Sequence, residues 1–355
     1  MKKSLILFFI FLNATTSSYC QTASKLIKVT NHFTSTLSVD QLHKISFEFD
    51  HNERTNWTNL PVGLAKRPGL NLGELSAESK MKFHKVLTSI LSSQGYLKTT
   101  SIMQLDDILN TIYKSLHKQN EITQKTFDQI VALDWDYSHY YISIWGTPNN
   151  KTPWGLKFEG HHISINISAI GNKYSMTPLF IGSDPAEVQI TKHAGLRVLS
   201  KEEDYGLELI NSLTTDQQKI ATISQEVPKD IITNPNSPQM INGYQGIKGS
   251  ELNEEQKKIL IRLIKEYIQN LEHEKSEEYL NKIKRSGIEN IYFAWRGSYK
   301  IREPNYYVIN GPDFIIEYDN YGFNNDGNHI HAIWREKGND FGEDILKKHY
   351  LEHKH

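Results

Sequence analysis

At 355 residues the chain is long enough for one large domain or two ordinary ones, and either can bury a substantial core. Its 40 Lys and Arg balance 41 Asp and Glu, so no basic excess exists to displace counterions from a nucleic acid. An aromatic content of 11%, with no low-complexity tract, sets the chain apart from disordered sequences.

Lys2 and Lys3 precede the apolar run from Leu5 to Leu12, and small and polar residues then lead to Cys20. That is the layout of a secretory signal peptide, and the run is too short to span a membrane. Export to a periplasmic or extracellular destination, with cleavage near Cys20, is the expectation. A lipidated Cys20 fits less well, because Tyr19 is bulkier than the small residue usual before such a cysteine. Cys20 is also the sole cysteine, so the mature chain would hold no disulfide, thiolate zinc site or cysteine nucleophile. Residues 1–20 are thus read as a leader, 21–45 as an N-terminal extension and 46–352 as a single domain.

The first strand is expected near Lys44 to Phe49. RTNWTNLPVGLAKRPGLNLGEL, from Arg54 to Leu75, is rich in Pro, Gly and Asn and reads as irregular. Its Arg54, Trp57 and Arg67 suit a pocket for an anionic ligand. Equally, Trp57 can plug a core edge while the arginines stay solvated. Helices are expected from Ser76 to Ser93, with Gly95 as the stop, and from Ile102 to Leu116.

Period-two alternation then takes over. Tyr140, Ile142 and Ile144 form one strand. In WGLKFEGHHISINIS the apolar positions before Gly160 are even (Trp154, Leu156, Phe158) and those after it are odd (Ile163, Ile165, Ile167). A regular strand cannot change parity, so a β-bulge is predicted at Gly160 or His161. Glu159, His162, Ser164 and Asn166 then share a polar face, and His161 is re-aimed. LFIGSDP makes a further strand, and Lys201 to Leu213 and Thr215 to Ser224 read as helices. A Pro- and Asn-rich linker spans Pro228 to Gly246. Asn253 caps an amphipathic helix reaching about Leu271, and another follows from Ser276 to Lys284. A β-meander closes the chain (Ile291 to Trp295, Tyr306 to Ile309, then a hairpin), before a last helix capped by Asn339 or Asp340.

That hairpin carries most of the chemistry. Asp313, Ile315, Glu317 and Asp319 share a face, as do His329, His331, Ile333 and Arg335 on the return strand. Folding about Asn324 sets Glu317 opposite His331, Asp319 opposite His329 and Asp313 opposite Arg335. A two-residue slip would keep the faces and change the partners. No phosphate-binding loop, dinucleotide fingerprint, H-E-x-x-H or G-x-S-x-G string occurs, which leaves histidine with carboxylate. Imidazole and carboxylate ligate zinc or iron, and an i, i+2 pair on a strand points two imidazoles the same way. His329, His331 and Glu317, joined by His161 or His162, are therefore candidate ligands of a divalent transition metal. Glu159 and Asp319 are candidate acceptors behind the rings, and Glu159 also a general base. Arg335 or Arg54 would position an anionic group of a small substrate. Histidine and carboxylate also pair across ladders as plain structure.

The expected architecture is a single α+β domain, its mainly antiparallel sheet built from the bulged strand and the meander and covered by amphipathic helices. The expected activity is metal-dependent hydrolysis. A non-haem iron oxygenase using the same ligands, or a non-catalytic metal- or ligand-binding protein, is the alternative. Taken together, RTNWTNLP, RPGLNLGEL, LSSQGY, WGLKFEGHHISIN, PLFIGSDP, IEYDN, HIHAIWR and NDFGEDILKKHY resemble the domain of unknown function 3500 (DUF3500) family. The resemblance runs from about Arg54 to Tyr350 and implies one family-length, often exported domain with no established activity. It further implies that Arg54, Gly160, His161, His162, Asn166, Glu317, His329, His331 and Arg335 belong to that family's pattern.

Overall fold

The computed structural model describes residues 15–235, 241, 243–323 and 325–352, so Lys2, Lys3 and the apolar run from Leu5 to Leu12, on which the expected leader rests, lie outside it. Thirteen strands form one open sheet: β1 (Ser46–Phe47), β2 (Leu70–Asn71), β3 (Tyr141–Trp145), β4 (Trp154–Gly160), β5 (Ile163–Ile170), β6 (Lys173–Ser175), β7 (Leu179–Ser183), β8 (Thr222–Ser224), β9 (Ile247–Lys248), β10 (Tyr292–Gly297), β11 (Asn305–Asn310), β12 (Phe314–Asp319) and β13 (Ile330–Glu336). The main path runs β1-β3-β4-β5-β7-β13-β12-β11-β10-β8. Among the described residues, only β1 with β3 and β8 with β10 pair in parallel. The expected single α+β domain is what forms.

Register explains how one sheet separates core from site. Phe158, Ile165, Leu179, Trp334, Ile316, Ile309 and Phe293 are successive cross-strand partners from β4 to β10. All seven lie in the main core, because partners in a ladder share a face. One residue away, the row Glu159, Ser164, Phe180, Ile333, Glu317, Val308 and Ala294 faces the other side. A neighbouring row on that side is Gly182, His331, Asp319, Tyr306 and Arg296.

Helices cover the apolar face. They are α1 (Thr15–Thr34), α2 (Val39–Ile45), α3 (Ala77–Ile90), α4 (Ser93–Lys118), α5 (Gln124–Val131), α6 (Ser200–Ser212), α7 (Thr215–Ala221), α8 (Glu254–Ile268), α9 (His273–Ser286) and α10 (Glu343–Glu352). Asn253 and Gln256 close a capping box on α8, whose Leu260, Leu263, Ile264 and Tyr267 enter the core. The segment before residue 46 contributes Ala23, Leu26 and Phe33 to that same core. Among the described residues, no helix is long and apolar enough to cross a membrane. The opposite face is covered by loops. Trp57, Ile231 and Phe341 settle there against Phe180 and Ile333.

Local expectations change at several places: Lys44 and Ile45 close α2, with the strand confined to Ser46–Phe47, and Thr222–Ser224 form β8 where a helix end was expected. Gly95 does not stop a helix: α3 ends at Ile90, and Ser92 caps α4, which holds Gly95 in its first turn. A Cβ on Gly95 would collide with the Asn270 carbonyl, so the glycine serves close approach of two chain segments. The parity change at Gly160 is a two-residue hairpin instead of a bulge, with Gly160 paired to Ile163 across His161 and His162. Partners there sum to an odd number, so Phe158 and Ile165 share a face without any inserted residue.

Candidate metal centre

Three histidines from two distant stretches of chain meet on the loop-covered face. His162 sits in the β4–β5 turn with φ 62°, a left-handed conformation costing a non-glycine residue about 1–2 kcal/mol. Its carbonyl accepts the Gly182 N–H at 2.8 Å, which ties the turn to β7. His329 immediately precedes β13, and His331 lies within it. The Nε2 atoms stand 2.8 Å apart between His162 and His329, 3.1 Å between His329 and His331, and 3.2 Å between His331 and His162. The His329 ring is nearly perpendicular to both others, at 89° and 90°, so the rings fan out around a common point. This is a group that can hold a metal ion.

Carboxylates stand behind the rings. His331 Nδ1 donates to Asp230 at 2.8 Å and lies 3.7 Å from Asp319. Asp184 is 3.5 Å from His329 Nδ1. Burial, reinforced by the neighbouring histidines, holds His162 and His329 well below the ordinary imidazole range, so both rings are neutral ligands in waiting. Burial opposes charge on His331 too, but Asp230 and Asp319 outweigh it and lift that ring to about 9. Burial likewise raises Asp184 to about 6 and Asp319 to about 7. The cluster is thus two uncharged rings and a third whose surroundings favour positive charge beside it.

The observed hairpin register is the two-residue slip: Asp319 faces His331, Glu317 faces Ile333 and Arg335 faces Ile315. Glu317 consequently does not join the imidazoles. Its carboxylate accepts from Tyr306 Oη (2.9 Å), the Ile232 N–H (2.7 Å), the Thr233 N–H (3.1 Å) and the Thr233 hydroxyl. Arg335 grips the same segment, donating to Thr233 Oγ1 at 3.1 Å and its carbonyl at 2.7 Å, and also pairs with Asp340. Both residues anchor the loop that carries Asp230. His161 turns away from the meeting point, with Nδ1 on Asp106 at 2.6 Å and its ring against that of His162. Arg54 bonds Ser168 and the Phe341 carbonyl. Arg67 is buried among carbonyls, including those of Ala65 and Gly160, and is not solvated. Glu159 lines a separate cavity of about 180 Å³ with Trp57 and Arg67, and burial raises its pKa.

Sequence reasoning missed Asp230, Asp184, Asp106 and Gly182. Asp230 lay in a stretch read as linker, and nothing in its spacing marks it. Gly182 pairs with His331 in the ladder, and a Cβ there would stand 2.7 Å from His162 Cδ2 and 2.8 Å from the Ile330 carbonyl oxygen. The bare backbone of β7 is what lets rings from both sides close over it. Gly182→Ala is expected to cost about 1–3 kcal/mol, the usual penalty for overpacking. Equilibrium unfolding in urea measures this, and an unchanged midpoint would contradict the packing described.

Fold and site together define an α+β protein with a buried three-histidine group on the loop-covered side of its sheet. The chain belongs to the family described as a protein of unknown function (DUF3500), whose model matches residues 20–343. Comparison with curated proteins and with solved structures returned no match.

Proposed function

We propose that this chain is an exported, metal-dependent enzyme, a hydrolase whose divalent transition ion, zinc or iron, is held by His162, His329 and His331. One observation carries the reading. Three Nε2 atoms converge within 3.2 Å of one another. A shared proton satisfies two such atoms at most, whereas a cation satisfies all three. The outer carboxylates add the orienting partners that ligating histidines usually have. The leader-like start supports export.

On binding an ion His331 would give up its Nε2 proton, and three neutral imidazoles would then leave the ion's charge undiminished, so that it would supply a water acidified from about 15.7 to about 7 as nucleophile. The chain's own part is to hold and orient. Asp230 fixes the His331 ring, Asp184 backs His329, and Gly182 keeps the space in which both strands' histidines meet. In this reading the substrate is a small molecule, and the balanced charge offers no electrostatic draw toward a nucleic acid.

One observation favours the oxygenase as a second reading. At metal–nitrogen bonds of about 2.1 Å, tetrahedral geometry separates nitrogens by about 3.4 Å and octahedral geometry by about 3.0 Å. Two of the separations, 2.8 and 3.1 Å, sit nearer the octahedral value and the third, 3.2 Å, lies midway. Six-coordination with a facial ligand set is the habit of non-haem iron oxygenases, although these ordinarily include a carboxylate ligand.

Elemental analysis of protein purified from metal-replete culture is expected to find about one zinc or iron per chain. Ester or phosphoester turnover lost on chelation would support the hydrolase. Iron with oxygen consumption would move the conclusion to the oxygenase, and metal without turnover to a binding protein. Absence of bound transition metal would overturn all three.

A further inference from the structure

Arg54 and Arg335 are both committed to structural contacts, so neither is free to hold an anion. A third arginine on the same face of the sheet is free. Arg296 continues the row His331, Asp319, Tyr306, three strands and roughly 14 Å from His331 at about 4.8 Å per strand. It borders a cavity of about 300 Å³ whose walls include Ile223, Ile232, Ile241, Val308 and Tyr306. Among the described residues, no acidic side chain lines this space. No ion pair or hydrogen bond engages the guanidinium among the described residues, and its Nε has neither solvent nor an acceptor. Tyr306 is no counter-ion, since its hydroxyl is neutral and donates its proton to Glu317.

Arg296 is half-buried, and its Nε, shut away from solvent without an acceptor, is a donor that an oxygen of an incoming anion would satisfy. The apolar side chains would not favour a small hydrated anion, and the charge would not favour a plain hydrocarbon. Together they match a molecule with one anionic end and a hydrocarbon body. We propose that this cavity binds a short- to medium-chain carboxylate, its head on Arg296 and its chain against Ile223, Ile232, Ile241 and Val308. The site needs no metal and stands whether or not the three-histidine group holds one. The loop that lines it also reaches the metal centre: Ile232 faces the cavity, and Asp230, two residues earlier, holds His331.

Calorimetric titration with hexanoate, acetate and 1-hexanol tests this. Hexanoate is expected to saturate wild-type protein, with acetate and 1-hexanol each binding at least about tenfold more weakly. Arg296→Gln removes the head-group partner and is expected to weaken hexanoate by about tenfold or more, as loss of a charge-assisted hydrogen-bond pair does. Val308→Phe fills the apolar wall and is expected to abolish hexanoate binding while leaving the arginine in place. Near-ultraviolet circular dichroism verifies the fold of each variant. If Arg296→Gln does not fold, Val308→Phe alone decides. No saturation of wild type through the millimolar range would overturn the proposal. So would acetate binding as tightly as hexanoate, or full affinity in folded Arg296→Gln or in Val308→Phe.

Discussion

His329→Ala is expected to lower bound metal from about one ion per chain to less than a tenth after dialysis, with His162→Ala and His331→Ala doing the same. Each change removes one of three converging nitrogens, a larger loss than the 10–100-fold drop typical when an outer partner of a ligand is removed. His161→Ala is the contrasting variant. It adjoins His162 in the chain and lies ring against ring with it, at 3.8 Å between centroids, yet its Nδ1 is given to Asp106. It should retain metal to within about tenfold of wild type, the lower end of that outer-partner range. The three ligand variants should also differ in stability. His331→Ala leaves Asp230 and Asp319 facing each other without a positive group between them, a repulsion that His162→Ala does not create. Elemental analysis and thermal unfolding of the four proteins check both points. Metal lost as fully from His161→Ala as from His329→Ala would mean that the ligand set is wrong.

Alternation along the strands made the sheet legible: the parity of Phe314, Ile316 and Tyr318 against Glu317 and Asp319 separated the core face from the loop-covered one. The histidine pairing across 167 residues was legible too, since HH at a parity break and H-x-H on a strand each implied a special face. Two things were not. Parity alone cannot distinguish an inserted residue from a tight turn, because both shift the apolar phase by one. Asp230, Asp184 and Gly182 act through contacts set by loop placement and ladder register, which no local period encodes. The hairpin register was similarly open. Its long loop tolerates a two-residue slip, and the burial of Glu317 under the 230–233 segment belongs to the slipped register.

Glu317→Gln separates a metal ligand from a loop anchor. Four donors converge on this fully buried carboxylate: the Tyr306 hydroxyl, the Thr233 hydroxyl and the N–H groups of Ile232 and Thr233. Burial pushes its pKa up, and those hydrogen bonds pull it down. Glutamine keeps the shape but turns an amide N–H₂ toward one hydroxyl, which can rotate to accept, and one backbone N–H, which is stranded at about 1–3 kcal/mol. A loss of about 1–3 kcal/mol is therefore expected, a drop of a few degrees in Tm for a chain of this size. Thr233 remains held by Arg335, so the loop is loosened and not released. Asp230, three residues before Thr233, would then grip His331 less firmly, and metal affinity should fall by no more than about 10–100-fold. At saturating metal the variant should still take up one ion per chain. A ligand role for Glu317 requires the opposite pattern, with metal content cut at saturation and stability of the metal-free protein little changed. Unfolding of apo protein, measured beside metal content at saturation, decides between the two.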